Sequence, residues 1–466
     1  MDVLRGLSIF GMVLSGTIPF GGALPAWMYH AQCPPPGHTF NPDVSGITWV
    51  DLVLPVFIFC MGAAIPLALH RKFESGYNFI KIMKNVGIRF VSLVLFAIYI
   101  AHILPRSIGA AKWNVQLLGF EMPGFDLQLL TLFGFILLFP LFQLIRDSKK
   151  KIIWRGIGWA GAIALLVFLR LAYGQVFSLH RGNIIILLLA NVYLIGAVSW
   201  CFTRNNHKAR LLLFIVWGGI QLCCKFTGFD SVLNEYQPLS WFFILRMTHY
   251  MLLLIPATIV GDILLERLKG NGKSPHLVEN NIWNKLFHLG AGLLVLWLTA
   301  ALFQRWMMAL YLLTPLMLFG LWMIVKKYVP AYIQLFSMVI WLIVLGLILE
   351  PVEGGIKKDP ATASYMLMTS GMALCLLIFL DYVTIFLAET GLVKLFSYTG
   401  KNPLLAYVMT TWFIFPLLKI SFLFFVYQCF FPAGWPWIGV FRALILVLLT
   451  MMLVAWLTKK KIMWRA

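Results

Sequence analysis

The stretch WVDLVLPVFIFCMGAAIPLAL, residues 49–69, carries one ionisable side chain, Asp51, at its head and is otherwise apolar, glycine or proline. About 20 such residues at helical rise cross the hydrocarbon of a bilayer, so the run reads as a transmembrane helix. Comparable runs lie on both sides of it, at 4–24, 86–104, 127–145, 156–174, 183–202 and 211–226, then at 244–265, 286–304, 308–325, 332–349, 362–383, 403–426 and 437–457. Backbone groups in lipid must be satisfied internally, and long uninterrupted runs suit helices rather than the alternating strands of a barrel. The expectation is an all-α fold, a polytopic transmembrane helical bundle of about 12–14 spans. The pair 286–325, broken only by Gln304 and Arg305, also reads as a re-entrant or tilted hairpin.

Composition agrees. Hydrophobic residues make up 61% of the 466 positions and charged residues 12%, against about a quarter charged in soluble proteins. A net charge of +20 in a soluble chain would point to nucleic acid, but here the charges occupy alternate loops. Arg71, Lys72, Lys81, Lys84 and Arg89 form one group, Arg146, Lys149, Lys150, Lys151 and Arg155 the next, and Arg204, Lys208 and Arg210 a third. Further groups follow at Arg267 to Lys285, Lys326 and Lys327, Lys394 and Lys401, and Lys459 to Arg465. By the positive-inside rule these loops and both termini are cytosolic. A multi-pass protein of the cytoplasmic (inner) membrane follows, with the lipid bilayer as partner and no nucleic acid.

The chain reads as a single integral membrane domain, 1–466. Helices 1–145 carry the recognisable motifs, 146–349 form a more variable middle, and 350–466 form the C-terminal helices. No internal repeat stands out. The first apolar run lacks a small-residue cleavage pattern after it, so it is expected to stay as an anchor. The seven cysteines show neither a disulfide framework nor zinc spacing; only Cys33 and Cys429 fall in outer loops, where a bridge between them is one option.

The longest outer segment, PAWMYHAQCPPPGHTFNPDVSGIT at 25–48, is rich in proline and glycine and predicts an irregular lid rather than a helix. Ionisable groups are costly at membrane depth and need a partner or a purpose, and here they gather toward the outer side. His30 and His38 lie in the lid, Asp51 heads the second span, and His102 ends the third. Arg246 and His249 open the eighth, three apart in LRMTHY and so on one helical face. Glu350, Glu353, Lys357 and Lys358 follow the eleventh. This is the composition of a polar pocket suited to sugar or phosphate ligands, with His38, Arg246, His249, Glu353 and Lys357 as substrate contacts.

His30 is the sharpest candidate, because imidazole takes and returns a proton near neutral pH; the plainer reading is an interfacial histidine bonded to backbone. Asp51 either caps its helix or orients a histidine or sugar hydroxyl. For Arg246 and His249 the plainer reading is an internal ion pair, with Asp262 or Glu350 as partner. Asp2 and Arg5 pair with each other or meet an anionic cofactor, and Arg170, Asp381 and Arg442 read as structural. His30 and His38 lack an evident third ligand, so no metal is expected. Walker, GxGxxG and GxSxG patterns are absent from the sequence, which removes support for ATP-driven transport, dinucleotide chemistry and α/β-hydrolase chemistry.

MDVLRGLSIFGMVL (1–14), WMYHAQ (27–32) and GITWVDLVLPVFIFCMGAAIPLAL (46–69) together resemble the opening of the heparan-α-glucosaminide N-acetyltransferase family and its bacterial relatives, some labelled N-acetylglucosamine-related transporters. The likeness resumes in EGGIKKDPATASYMLMTSGMALCLLIFL (353–380), GKNPLLAYV (400–408) and KKKIMW (459–464). The resemblance implies a transmembrane acyltransferase moving an acetyl group from cytosolic acetyl-CoA to an amino sugar or glycan on the other side. Acetyl-CoA is then a co-substrate and no cofactor is bound permanently; a homodimer is admissible. The family's active-site histidine matches His30 and the second-helix aspartate Asp51. The LDxxRG arginine is Arg5, assigned to acetyl-CoA, and the asparagine of the late G-x-N-x-x-L-x-Y motif is Asn402, assigned to substrate. The chain departs from the family pattern around Ser15 to Thr17, where an asparagine is missing, and in DLQLLTLFG (126–134), where an arginine is missing. The alternative function is an amino-sugar transporter, proton-coupled through His30, Asp51 and His249.

Overall fold

The computed structural model describes residues 1–21, 24–117, 120–122, 124–145, 147–229, 241–243, 245–269, 281–388, 390–421, 423–429 and 435–465. Eleven of its helices are long and apolar enough to cross a membrane, twelve if the bent pair Pro403–Lys419 and Leu423–Cys429 counts as one span. Among the described residues, β pairing is confined to a short hairpin, Val115–Leu117 against Phe120–Met122, and one bridge between Gln143 and Trp464. The fold is therefore an all-α multi-pass membrane bundle.

Two of the fourteen apolar runs build helices of a different kind. The first, α1 (Asp2–Ser15), has 14 residues, about 21 Å at 1.5 Å per residue, and stops at Gly16. The other is Met251–Lys269, which carries Asp262, Glu266 and Arg267 and is preceded by the 3-10 turn Leu245–Tyr250 where a continuous helix from 244 was expected. The re-entrant reading of 286–325 is corrected: Ile282–Phe303 and Met307–Tyr328 are two full helices of 22 residues each. Arg305 makes the turn between them at φ 57°, held by Glu350, whose Oε1 lies 2.9 Å from the guanidinium while Tyr311 donates to Oε2 at 2.9 Å.

The helix Ala363–Phe386 is the most enclosed, with 83% of its apolar window buried, whereas Ser148–Tyr173 and His207–Thr227 reach only 22% and 17%. The first is thus central and the other two present apolar sides to lipid. Where helices meet closely, the contact residues are small, as association without a hydrophobic drive requires. The second helix, α2 (Trp49–Glu74), packs on Met251–Lys269 through Gly62 and Ala63 against Ala257 and Gly261; a Cβ on Gly261 would stand 2.4 Å from the Ala63 carbonyl oxygen. Likewise α1 meets Gly391–Lys401 through Gly6 and Gly400, where a Cβ on Gly400 would stand 1.9 Å from the Asp2 carbonyl oxygen.

Buried charge is compensated locally. Arg210, 1% exposed, pairs with Asp262 and donates to the Thr203 hydroxyl at 3.1 Å, while the Trp200 indole donates to Asp262 at 3.0 Å. Asp262 and Glu350, suggested above as partners for Arg246 and His249, pair with Arg210 and Arg305; the side chain of Arg246 lies outside the described residues. Cys33 and Cys429 are both free thiols, so the optional bridge is not formed.

The glycine contact can be tested by contrast. Gly261→Leu is expected to destabilise by about 1–3 kcal/mol, the usual cost of overpacking, and to lower the melting temperature in detergent. Gly219→Leu, where a Cβ meets nothing within 4 Å, should leave it nearly unchanged. Equal melting of the two variants would remove close packing at Gly261 as a determinant of stability.

Candidate functional site

The site starts from a helix N-terminus. At the head of α2 the first N–H groups have no partner within the helix, and Asp51, three residues after Thr48, returns its carboxylate to the Thr48 N–H at 3.0 Å. The same oxygen accepts from the Ala31 N–H at 3.1 Å. The Thr48 hydroxyl donates to the Tyr29 carbonyl at 2.6 Å, and the Tyr365 hydroxyl donates to the Asp51 carbonyl at 2.7 Å. One carboxylate, its side chain 2% exposed, thus fastens residues 29–31 of the lid to α2. A buried charge is tolerable only when paired and hydrogen-bonded, and Asp51 is both.

Its other oxygen, Oδ1, lies 2.7 Å from Nδ1 of His30. A carboxylate only accepts, so the neutral imidazole carries its proton on Nδ1 and its lone pair on Nε2, an assignment from partners. The His30 side chain is 41% exposed, which leaves one edge of the ring reachable from outside while the carboxylate beneath it stays dry. That pairing is the arrangement a general base or nucleophilic imidazole needs.

A third group completes the cluster. Lys358 Nζ stands 2.9 Å from Nδ1 and 3.2 Å from Nε2 of His30, and 3.6 Å from Asp51 Oδ1. Burial pushes its ammonium below the ordinary lysine range, opposed by the Asp51 charge, which pulls it back up. Burial likewise raises the neighbouring Cys33 thiol, against the Lys358 charge. The loop that brings Lys358 across the molecule is pinned at several points. Glu353 accepts from the Ala363 and Ser364 N–H groups at 3.0 and 2.6 Å and so caps the central helix. Lys225 donates to the Glu353 carbonyl at 2.7 Å, Gly46 N–H to the Ile356 carbonyl at 2.8 Å, and Thr362 N–H to the Lys357 carbonyl at 3.1 Å. The Gln32 amide, 4% exposed, bonds twice to Asp359, donating to its carbonyl at 2.5 Å and accepting from its N–H at 2.9 Å. Lid and loop are thus latched together.

The residues chosen from sequence divide accordingly. His30 and Asp51 come together. Lys357 closes the loop turn through its backbone, and its neighbour Lys358 makes the contact instead. Glu353 is nearby, with both oxygens engaged in capping. His38 sits in the lid at φ 49°, its ring edge-on to Tyr29 at 4.4 Å and to Phe20 at 5.4 Å, so it props the residue before His30. His249 stands in the 3-10 turn Leu245–Tyr250, and the side chain of Arg246 lies outside the described residues.

Arg5 and Asn402 belong to the other end of the bundle. Arg5 donates to the Gly400 carbonyl at 2.9 Å and lies 3.4 Å from Asp2. It is within electrostatic reach of Cys60, which is about 14 Å along α2 from Asp51 at helical rise. Asn402, fully buried, donates to the Ile462 carbonyl at 2.9 Å and accepts from the Trp464 N–H at 3.1 Å, which fastens the C-terminal tail. A hollow of about 80 Å³ near this end, lined by Leu264, Arg267, Tyr332 and Asp381 among others, falls well short of the roughly 300 Å³ at which ligand pockets begin. Gln32 was left out of the sequence reading, and Lys358 was placed in the polar cluster but not chosen as a contact. The signal for Lys358 was the Lys357-Lys358 pair itself, but a loop has no periodicity to say which of two adjacent side chains turns inward.

Two substitutions probe these assignments. Gln32→Ala should loosen the lid on the loop and increase proteinase cleavage within residues 25–48, at a cost of about 1–3 kcal/mol for the buried groups left unpaired; an unchanged cleavage pattern would refute the part of Gln32 in the latch. Asn402→Ala should loosen the tail and lower the melting temperature, with carboxypeptidase release of the last residues accelerated.

No curated protein matches the chain. A family model matches residues 1–264, more than half of the 466, a region that includes His30 and Asp51 and ends before Lys358. On that match the chain belongs to the family described as a domain of unknown function, DUF5009.

Proposed function

We propose that the protein is a transmembrane acyltransferase that moves an acetyl group from acetyl-CoA, approaching from the cytosolic side, to an amino sugar or glycan on the extracytoplasmic side of the cytoplasmic membrane. The observation that carries the reading is the His30 to Asp51 contact of 2.7 Å at the end of the bundle away from the basic tail, with one ring edge exposed. The motif resemblance to the heparan-α-glucosaminide N-acetyltransferase family supports it on the same two residues.

The chemistry balances with these groups. The acceptor nitrogen attacks the thioester carbonyl carbon, forming the C–N bond while its proton passes to Nε2 of His30. Collapse of the tetrahedral adduct breaks the C–S bond, and the imidazolium returns that proton to the leaving thiolate. Asp51 holds the ring in the tautomer that presents Nε2 and balances the charge that forms on it. In the two-step variant the imidazole carries the acyl group transiently before the amine takes it. A general base of this kind supplies typically ~10²–10⁴-fold, and holding donor and acceptor together supplies more.

The test is purified protein in liposomes given labelled acetyl-CoA and a panel of amino sugars. Label should move to sugar with the native protein and fall by at least ~10²-fold with His30→Ala. Acyl-histidine trapped on His30 without acceptor would select the two-step variant. Transfer that survives the substitution, or uptake of unmodified sugar with no acyl donor, would sink the proposal.

A further inference from the structure

We infer that Lys358 is a catalytic residue of this site, the cation that receives the negative charge developing on the acyl carbonyl oxygen during transfer. The inference rests on the acyltransferase reading above and adds to it the group that the His30 and Asp51 pair lacks. Attack on a thioester places a full charge on one oxygen, and in low dielectric that charge needs a preorganised donor. Neither Asp51, an anion, nor His30, busy with the proton, can supply it.

The geometry provides the donor. Nδ1–H of His30 is spent on Asp51, and Nζ of Lys358 stands 2.9 Å from Nδ1 and 3.2 Å from Nε2, against the ring between its two nitrogens. In the resting site the ammonium therefore stands beside the imidazole at which the transfer takes place. When the acyl group arrives beside the ring, one N–H need only turn from the imidazole to the carbonyl oxygen. An ammonium has three donors and no acceptor, so it can keep its interaction with Asp51 Oδ1, 3.6 Å away, while making the new bond.

Placement is fixed before any ligand comes. Lys358 sits between Ile356, whose carbonyl is held by Gly46, and Asp359, which Gln32 holds from the lid. The loop returns to the central helix through Thr362 and Glu353. A residue 328 positions away in sequence from His30 is thus presented by backbone contacts on both of its sides, as an oxyanion donor requires and a solvated surface lysine does not.

The same surroundings give a pH signature. The groups facing Lys358 are His30 and Cys33 from the lid, Asp51 from α2, and Asp359 from its own loop. Burial favours the neutral amine, so the ammonium loses its proton at lower pH than an ordinary lysine, whose value is near 10.4. Deprotonation removes the donor and activity falls.

The experiment measures acetyl transfer in liposomes by native protein, Lys358→Met and Lys358→Arg from pH 6 to 10.5. The methionine variant is expected to lose ~10²–10³-fold in kcat, the usual cost of one oxyanion donor, with KM for the acceptor changed only a few-fold. The native enzyme should show an alkaline limb below the ordinary lysine value, and Lys358→Arg, which stays charged, should retain part of the activity with that limb gone. A methionine variant as active as the native protein, or an arginine variant that keeps the alkaline limb, would overturn the role of Lys358 while leaving acyl transfer intact. Absence of transfer by the native protein itself would overturn both, and that pattern is distinct from the first.

Discussion

A carboxylate buried at the head of a membrane helix is the constraint on which this end of the molecule depends. Asp51 sits where water is excluded, and an uncompensated charge there would cost several kcal/mol. The chain meets that cost by bringing donors to it from separate segments: Thr48 from the start of α2, Ala31 and His30 from the lid, and Lys358 from the loop before the central helix. Removing any one leaves the charge less satisfied, so the lid, the helix and the loop are obliged to assemble together. The irregular lid is ordered because its backbone is part of the solvation shell of one side chain.

The bundle around this point follows from a different rule. Lipid gives no hydrophobic gain for helix association, and the closest contacts accordingly rely on shape, with Gly62 and Gly261 at one crossing and Gly6 and Gly400 at another. Two buried carboxylates within the bundle are each paired with an arginine, Asp262 with Arg210 and Glu350 with Arg305. The second of these pairs matters for the site. It fixes the end of the helix Ile333–Val352, from which the loop carrying Lys358 departs.

Much of this was legible in the sequence because the bilayer imposes a one-dimensional constraint. An apolar run such as 49–69 declares its length and class with no knowledge of its neighbours. Where the reading went astray, local polarity had been hidden by average hydropathy. Met251–Lys269 contains Asp262, the charge that pairs with Arg210, and the first run ends as a helix at Ser15, because the stretch GTIPFGG at 16–22 supplies glycines and a proline rather than helix formers. At the site, His30 and Asp51 could be chosen because each stands at a recognisable boundary. Lys358 could not, since Lys357 and Lys358 are chemically identical and only the turn closed by Thr362 decides which faces His30. Asn402 shows the reverse problem: a motif position reads as functional, yet its side chain is consumed by the C-terminal tail.

The way the three outer groups are joined also bears on how such a site can work. A carrier must let the walls around its cargo part and reclose on the opposite side, so its binding groups belong to bodies that move relative to one another. Here α2, residues 29–32 and the loop 353–362 are tied to one another by hydrogen bonds, and α2 is tied to the central helix through Tyr365. Separating them would leave Asp51 unpaired in a dry environment and break both bonds between Gln32 and Asp359. Motion of that kind is expensive in the very place where a carrier needs it to be cheap. A fixed arrangement of carboxylate, imidazole and ammonium has the opposite virtue, since holding groups at set distances is itself a large part of catalysis. The rigidity of the cluster therefore weighs toward chemistry performed at a stationary site, with substrates arriving from either side of it.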